Sequence, residues 1–236
     1  MSFEIKRKLK KLSDKQFAKD IKKYLRSPYE FYGVRVPELR ILAKKLHDEN
    51  NLNDFYKVFN KLWYSKYHEE RSLAIYALQS YEKEFNLKTW KFIKGKLKDI
   101  KTWDQIDILS TGILGKILLK YPKLEKELLM LSKNKDIWIK RASIVSTLPL
   151  VKTGKIKLTM KIISNEIQNE NPYVQKAIGW LLRESGKQKP KEIENFILKN
   201  LDMPSITFSY ATEKMKKLRR LRKLRKKHLF QKKKSS

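Results

Sequence analysis

Residues 171–183, Asn-Pro-Tyr-Val-Gln-Lys-Ala-Ile-Gly-Trp-Leu-Leu-Arg, show most clearly how this chain folds. Asn171 is a favoured N-cap, and Pro172 suits the first helical position because its missing N–H would have no partner there. Apolar residues then recur at helical spacing, at Val174, Ala177, Ile178 and Leu181. The stretch therefore predicts a helix with one apolar face.

Comparable helical segments recur along the chain. They begin near Arg71, Asp107, Arg141 and Lys176, so that the successive gaps are 36, 34 and 35 residues. Shorter, more charged helices lie between them, as at Pro122–Leu131 and Pro190–Leu198. This period predicts an all-α fold, an α-solenoid of HEAT-like helical-pair repeats with a concave basic surface. Tetratricopeptide repeats are disfavoured because their Trp, Gly and Tyr consensus is missing.

Local residue patterns predict further helix starts. Ser13 precedes a helix over about Lys15–Leu25, and a Val-Pro pair opens a helix over about Val36–Leu46. Thr102 and Gln105 have the spacing of a capping box, in which each side chain bonds to the backbone of the other.

The charge of the chain indicates a polyanionic partner. Its 236 residues include 56 Lys and Arg against 25 Asp and Glu, for a formal net charge of +31. Residues 214–236 hold thirteen of the cations and no acid. We therefore expect a repeat domain over residues 1–213 and a basic tail over 214–236, partly helical or disordered. Such a tail binds phosphates without reading base sequence, so it implies nucleic acid or acidic membrane lipid. The lipid is disfavoured because the apolar side chains of the tail form only a narrow stripe.

Composition also excludes several classes of site. Zero cysteines rule out disulfides, thiolate zinc sites and thiol nucleophiles. The three histidines, His47, His68 and His228, lack ligand-like spacing, so we expect no metal and no cofactor. No apolar run is long enough to cross a membrane and no secretory signal is present. We expect a cytoplasmic, nucleoid-associated monomer.

Two side chains near residue 105 depart from the pattern of a packed helix. Trp103 and Asp107 are four residues apart and therefore lie on the same helical face, at the border of the apolar side. The structural alternative is a packed tryptophan and an aspartate favoured by the helix dipole.

A second group lies on the last two repeats. Lys176, Trp180 and Arg183 form a basic–aromatic–basic stripe that points away from the apolar face, which suits a sugar-phosphate chain. Arg141 lies inside an apolar stripe and needs a phosphate or carboxylate partner. The alternatives are a tryptophan packed on the next repeat and a structural ion pair.

The N-terminal segment adds two candidates. Tyr24 precedes a Tyr-Gly-Val-Arg-Val-Pro turn that presents Arg35 on a loop, where it could enter a minor groove. An ordinary solvated loop arginine is the alternative.

Four stretches together resemble the DNA alkylation repair proteins of the AlkD type, a family of HEAT-like-repeat DNA glycosylases. They are Tyr-Gly-Val-Arg-Val-Pro-Glu-Leu-Arg (32–40), Trp-Asp-Gln-Ile-Asp (103–107), Trp-Ile-Lys-Arg-Ala-Ser-Ile-Val-Ser-Thr (138–147) and Val-Gln-Lys-Ala-Ile-Gly-Trp-Leu-Leu-Arg-Glu (174–184). The resemblance spans about residues 15–215.

The resemblance implies hydrolysis of the N-glycosidic bond of N3- and N7-alkylated purines in double-stranded DNA. Asp107 is similar to the catalytic carboxylate of the family, with Trp103 and Trp180 as aromatic walls around the deoxyribose. The DNA contacts implied are Arg141, Arg183, Lys176, Arg35 and Tyr24. In this family the lesion need not enter a tight pocket. Many relatives have arginines where Ser205 and Ser209 stand, and the basic tail could supply replacement contacts.

The chemistry of these residue types agrees with the resemblance. Methylation at N3 or N7 makes the purine cationic and activates it as a leaving group, so that one carboxylate suffices to stabilise the sugar cation and to position water. Two other functions remain open: a non-catalytic protein that recognises damaged or branched nucleic acid, and a scaffold whose charge serves RNA association.

Overall fold

Helices make up all the regular structure in the part of the chain described by the computed structural model, residues 2–215 and 217–234. The only strand-like pairing among these residues is a single bridge between Glu30 and Tyr67. Ser235, Ser236 and Lys216 of the predicted tail lie outside the described residues. None of the described helices is both long and apolar enough to cross a membrane. The all-α prediction is confirmed.

The chain forms two compact units, Met1–Ile117 and Leu118–Ser236. The helices of the first unit are α1 (Ser2–Lys11), α2 (Lys15–Leu25), α3 (Val36–Asp48), α4 (Leu52–Trp63), α5 (His68–Gln79), α6 (Leu87–Lys94) and α7 (Trp103–Leu109). A π-helical turn, Ser110–Leu114, continues α7 and leads into α8 (Gly115–Lys120), which spans the boundary between the units.

The second unit contains the remaining helices. They are α9 (Glu125–Ser132), α10 (Ile137–Val145), α11 (Leu148–Lys152), α12 (Lys157–Glu166), α13 (Pro172–Gln188), α14 (Pro190–Lys199), α15 (Ser205–Thr212) and α16 (Leu218–Lys234). Helix α13 packs against α10, α11, α14 and α15 and is the centre of this unit.

The predicted recurrence is visible in where helices begin. Helices α5, α7, α10 and α13 start at His68, Trp103, Ile137 and Pro172, at intervals of 35, 34 and 35 residues. Each of these helices buries an apolar face, which stabilises the fold by roughly 2 kcal/mol for each large side chain removed from water.

Most of the predicted helix boundaries are close to the observed ones. Helix α2 has the predicted bounds, but Asp14, not Ser13, is its N-cap and accepts a hydrogen bond from the Phe17 N–H. Asn171 caps α13 as predicted, by accepting from the Tyr173 N–H. Helix α3 runs to Asp48, slightly beyond the expected end. The segment at Pro122 starts with a 3₁₀ turn before α9.

A run of buried polar residues on α5 organises the first unit. The Glu69 carboxylate accepts from the Gly33 N–H at 2.7 Å, and Glu70 accepts from the Tyr32 hydroxyl at 2.7 Å. Gly33 has a φ of +82°, and a Cβ there would lie 1.9 Å from the Asp14 carbonyl oxygen, so only glycine fits. These bonds fix the turn that precedes α3.

The described part of the basic tail is mostly helix α16. Leu221 is buried, and the Arg225 guanidinium donates to the carbonyl oxygens of Leu201 (3.1 Å) and Met203 (2.9 Å). The same group lies 4.8 Å from the centre of the Phe208 ring. One side of α16 is therefore attached to the second unit, and Lys223, Lys226 and Lys227 remain exposed.

Candidate functional site

Helix α7 places the candidate carboxylate one turn after a tryptophan. Thr102 is the N-cap in an extended conformation, Trp103 is the first helical residue, and Asp107 follows on the same face. Both Trp103 and Asp107 are partly exposed, whereas the neighbouring Ile106 is fully buried. Both side chains are thus accessible from solvent at the border that the sequence predicts.

The structure brings Tyr24 to Trp103. The two ring centres are 5.9 Å apart and their planes meet at 78°, an edge-to-face contact. Tyr24 is 68% exposed, so the pair forms an aromatic surface open to solvent. Two of the predicted site residues, distant in sequence, therefore lie side by side.

The capping box predicted at Thr102 is wrong. The Thr102 side chain makes no cap hydrogen bond, and the Gln105 side chain does not return to the N-cap. Gln105 is fully buried and donates instead to the His68 carbonyl oxygen at 3.1 Å and to the Ser72 hydroxyl at 3.2 Å. A capping box would need the Gln105 side-chain amide, but this amide bonds to α5 instead.

A π-helical turn begins at Ser110, three residues after Asp107, where the apolar spacing predicts a continuous α-helix. The widened turn leaves the Ile108 carbonyl oxygen to accept from Gln79 Nε2 at 2.9 Å. Gly112 makes room for this contact, because a Cβ there would lie 1.9 Å from Gln79 Nε2. Such turns occur often at functional sites. A glycine within an apolar helix was the one available indication.

A buried His–Asp contact lies beneath the start of α7. His68 Nε2 is 3.0 Å from Asp104 Oδ2, and Phe31 stacks on the His68 ring with centres 4.7 Å apart. Burial alone would raise the pKa of Asp104, but its contact with His68, together with the nearby Thr102 hydroxyl and Gln105 N–H, lowers the pKa below the ordinary value. Asp104 is therefore ionised at neutral pH, and its carboxylate contacts His68 within the first unit.

Arg35 is held on the surface of the first unit. As N-cap of α3 it places its guanidinium 4.2 Å from the centre of the Phe17 ring and 4.0 Å from the Asp14 carboxylate. Its side chain is still 61% exposed. The loop position predicted from sequence is confirmed, and its contact with DNA stays a prediction.

In the second unit, α13 carries the predicted stripe of Lys176, Trp180 and Arg183. Lys176 is exposed and Trp180 is partly exposed. Arg183 pairs with Glu213 through Nη1, and its Nε lies 3.5 Å from a Glu184 oxygen. A phosphate that binds Arg183 would therefore compete with Glu213.

Arg141 is buried in α10, as its position in the apolar stripe suggested. Its Nη1 donates to the Tyr173 carbonyl oxygen at 2.5 Å, at the start of α13. The sequence predicts a phosphate or carboxylate partner and does not indicate this backbone carbonyl. Arg141 therefore links α10 to the helix that carries the stripe.

No described group of His, Asp or Glu side chains is arranged to hold a metal ion.

The sequence of residues 5–215 matches the family model of the DNA alkylation repair enzymes. Because this match covers most of the chain, the protein belongs to that family. A search among curated proteins finds no match.

Solved structures show the same fold. A predicted DNA alkylation repair enzyme from Enterococcus faecalis superposes with a TM-score of 0.78 at 20% identity, over 87% of this chain and 97% of that one. AlkD2 from Streptococcus mutans gives a TM-score of 0.61 at 17% identity, over 86% and 99%. The smu.31 protein of Streptococcus mutans UA159 gives 0.56 at 16% identity, over 92% and 97%.

Proposed function

We propose that this protein is a DNA glycosylase that hydrolyses the N-glycosidic bond of N3- and N7-alkylated purines in duplex DNA and leaves an abasic site. The observation that carries the proposal is the pairing on α7 of a solvent-accessible carboxylate, Asp107, with Trp103, against which Tyr24 packs. Membership of the DNA alkylation repair enzyme family supports the same conclusion.

The proposed chemistry needs a single carboxylate. The alkylated base already carries positive charge, so it leaves without a general acid, and positive charge develops on the deoxyribose. Asp107 stabilises that charge and positions the water that attacks C1′. The face of Trp103 adds cation–π stabilisation to the charge on this sugar. Trp180, on α13 of the second unit, stays a proposed aromatic contact with DNA.

The basic residues hold the phosphates in this proposal. Lys176 and Arg183 flank Trp180 on α13 and contact phosphates of the DNA backbone from the second unit. Arg35 and Tyr24 contact the duplex from the first unit. Arg141 contributes by its charge and by fixing α10 against α13 through the Tyr173 carbonyl. The net charge of +31 favours DNA over any neutral partner.

The test is a product assay on methylated duplex DNA. The purified protein is expected to release 7-methylguanine and 3-methyladenine and to leave alkali-labile abasic sites, in the presence of a metal chelator as in its absence. Unmethylated duplex is the control and should lose no base. Tight, salt-sensitive binding with no release of any methylated base would instead support the non-catalytic alternative.

A further inference from the structure

The second unit contains an open pocket of about 480 Å³ beside the C-terminal half of α13. Helices α13 and α14 line it, together with the end of α15 and the start of α16. Part of this lining is aliphatic, since Ala211 and Leu221 are buried and Met215 is partly buried. The volume lies in the usual range of ligand sites, and a ligand could bury an apolar group against these three side chains.

The same pocket is surrounded by positive charge. Five cations line it, namely Arg183, Lys187, Lys191, Lys214 and Lys217. The four lysines are exposed, and Glu194 is the one acid among the described residues of the lining. A ligand with both an apolar group and several negative charges therefore fits this pocket.

Three of these cations already bind carboxylates of the chain itself. The pairs are Arg183 with Glu213, Lys187 with Glu184 (2.6 Å) and Lys217 with Glu194 (3.2 Å). Lys191 and Lys214 have no ion-pair partner among the described residues. The pocket thus holds carboxylates within the fold and leaves two cations for carboxylates of a ligand.

The lining does not suit a nucleotide. None of the described residues that line the pocket is aromatic or carries an amide or hydroxyl group. Nucleic acids that bind in such sites stack their bases on aromatic rings and form hydrogen bonds with polar side chains. Here the phosphates would find partners and the bases would not, whereas an acidic peptide supplies carboxylates together with an aliphatic side chain.

We propose that this pocket binds an acidic peptide segment of a partner protein. One large aliphatic side chain of the segment packs against Ala211, Met215 and Leu221, and flanking carboxylates pair with Lys191 and Lys214. Burial of the apolar side chain provides affinity, while the cations speed association and select acidic segments. Peptide binding here is independent of base release, so either activity can be present without the other.

The first test measures the contribution of the apolar side chain. Fluorescence anisotropy of the full-length protein, at physiological ionic strength, compares the labelled peptide Ser-Asp-Asp-Leu-Asp-Asp-Ser with the same peptide carrying Ser in place of Leu. The two peptides have equal charge, and we expect the leucine peptide to bind at least about tenfold more tightly. Equal affinities would show that charge alone attracts both peptides and would overturn the proposal.

The second test locates the charges. Replacement of Lys191 and Lys214 with Gln should weaken binding of the leucine peptide about threefold to tenfold, the range of two exposed ion pairs. The control replaces Lys161 and Lys199 with Gln, because both are exposed in the second unit and lie outside the pocket. The control should weaken binding by less than about twofold, and an equal loss in the two double variants would contradict a specific pocket.

The third test fills the pocket without changing charge. A Cβ at Gly186 would be at least 3.6 Å from its neighbours, so Gly186→Leu fits in the helix and places its side chain in the pocket. It should lower the affinity for the leucine peptide to that for the serine peptide. Gly95→Leu is the matched control, since Gly95 is exposed in the first unit and a Cβ there is also free of close contacts.

The outcomes identify the occupant. Circular dichroism establishes that each variant is folded, and the lysine variants test the pocket even if Gly186→Leu is not. Binding of the leucine peptide that survives Gly186→Leu in a folded protein would overturn the proposal. A single-stranded oligonucleotide whose affinity falls in Gly186→Leu, while the two peptides bind alike, would assign the pocket to nucleic acid instead.

Discussion

Asp104 and Asp107 lie on the same short helix and have different surroundings. Asp104 contacts buried His68, and its side chain is only 20% exposed. Asp107 is three residues further on, and its backbone carbonyl accepts from the Thr111 hydroxyl at 2.7 Å in the π-helical turn. Asp104 is thus held by a buried histidine of α5, whereas Asp107 is partly exposed one turn after Trp103.

The lowered pKa of Asp104 predicts acid sensitivity. A carboxyl group whose pKa is lower in the folded state stabilises the fold above its unfolded pKa, and this contribution is lost as the pH falls through the folded pKa. We expect the free energy of unfolding, measured by urea denaturation, to fall below about pH 5, and less steeply in Asp104→Asn. Asp20→Asn, at an exposed position, is the control, and its free energy of unfolding should fall with pH as steeply as that of the wild type. An equally steep fall in all three proteins would contradict the role of Asp104.

Arg183 offers a second prediction at the scale of residues. Glu213 occupies the guanidinium that is proposed to bind phosphate, and its own side chain is 54% exposed. Glu213→Gln should therefore raise the affinity for duplex DNA about two- to fivefold, the range of an exposed ion pair. Glu192→Gln, at an exposed position of α14, changes the net charge by the same amount and should raise the affinity for DNA less. Fluorescence anisotropy measures both, and equal effects would show that only net charge matters.

Some single-residue roles could not be predicted from sequence. Gln105 has the spacing of a capping residue, but its amide bonds to α5, which precedes it by about thirty residues and contacts it only after folding. Arg141 was recognisable as a buried arginine, yet its carbonyl partner at Tyr173 depends on how α10 packs against α13. Local spacing predicts the position of such residues and not their partners.

At the scale of elements, the close packing of α13 and α15 depends on Gly179. A Cβ at this position would lie 2.5 Å from Tyr210 Cβ and 2.7 Å from the Thr207 carbonyl oxygen. Gly179→Ala must separate the two helices, so we expect it to lower the free energy of unfolding by about 1–3 kcal/mol or more.

Gly95 provides the matched control for this substitution. A Cβ there would be at least 3.5 Å from its neighbours, and its φ of −65° suits any residue. Gly95→Ala should leave stability unchanged or slightly higher. A similar loss in both variants, measured by thermal unfolding, would mean that α13 and α15 do not approach as closely as described.

Elements were easier to predict than their irregularities. Helix α13 could be predicted from its Asn-Pro start and its regular apolar face, because both signals depend only on residues close together in the sequence. The π-helical turn after Asp107 depends on Gln79 of α5 and on the space left by Gly112, and no local pattern encodes that contact. The basic pocket beside α13 is formed by four helices and the segment before α16, so it became visible only with the structure.

At the scale of the whole molecule, the excess of positive charge dominates. Helix α16 adds an exposed cationic surface that includes Lys223, Lys226 and Lys227, while Arg225 attaches the helix to the second unit near Ser205. The family resemblance leads us to expect arginines where Ser205 and Ser209 stand. Arg225 of the tail donates a hydrogen bond to the Ser205 hydroxyl at 3.3 Å and so brings a guanidinium to the first of these positions. This arrangement is compatible with binding of phosphates by the tail.

The salt dependence of DNA binding tests the role of α16. Replacing Lys223, Lys226 and Lys227 with Gln should weaken binding to any duplex and reduce the slope of log affinity against log salt by up to about 3, one for each lost phosphate contact. Base release at saturating protein should not change. The same replacements at exposed Lys57, Lys61 and Lys91 of the first unit serve as the control. Equal slopes for the two triple variants would exclude a specific role for α16.

The central claim is that Asp107 stabilises the developing sugar cation. Its most direct test is the single-turnover rate of 7-methylguanine release from methylated duplex at saturating protein, compared between the wild type and Asp107→Asn. We predict a rate lower by about 100-fold or more in the variant, since the isosteric amide removes the charge, together with unchanged DNA affinity. Release at the wild-type rate by Asp107→Asn would contradict the account.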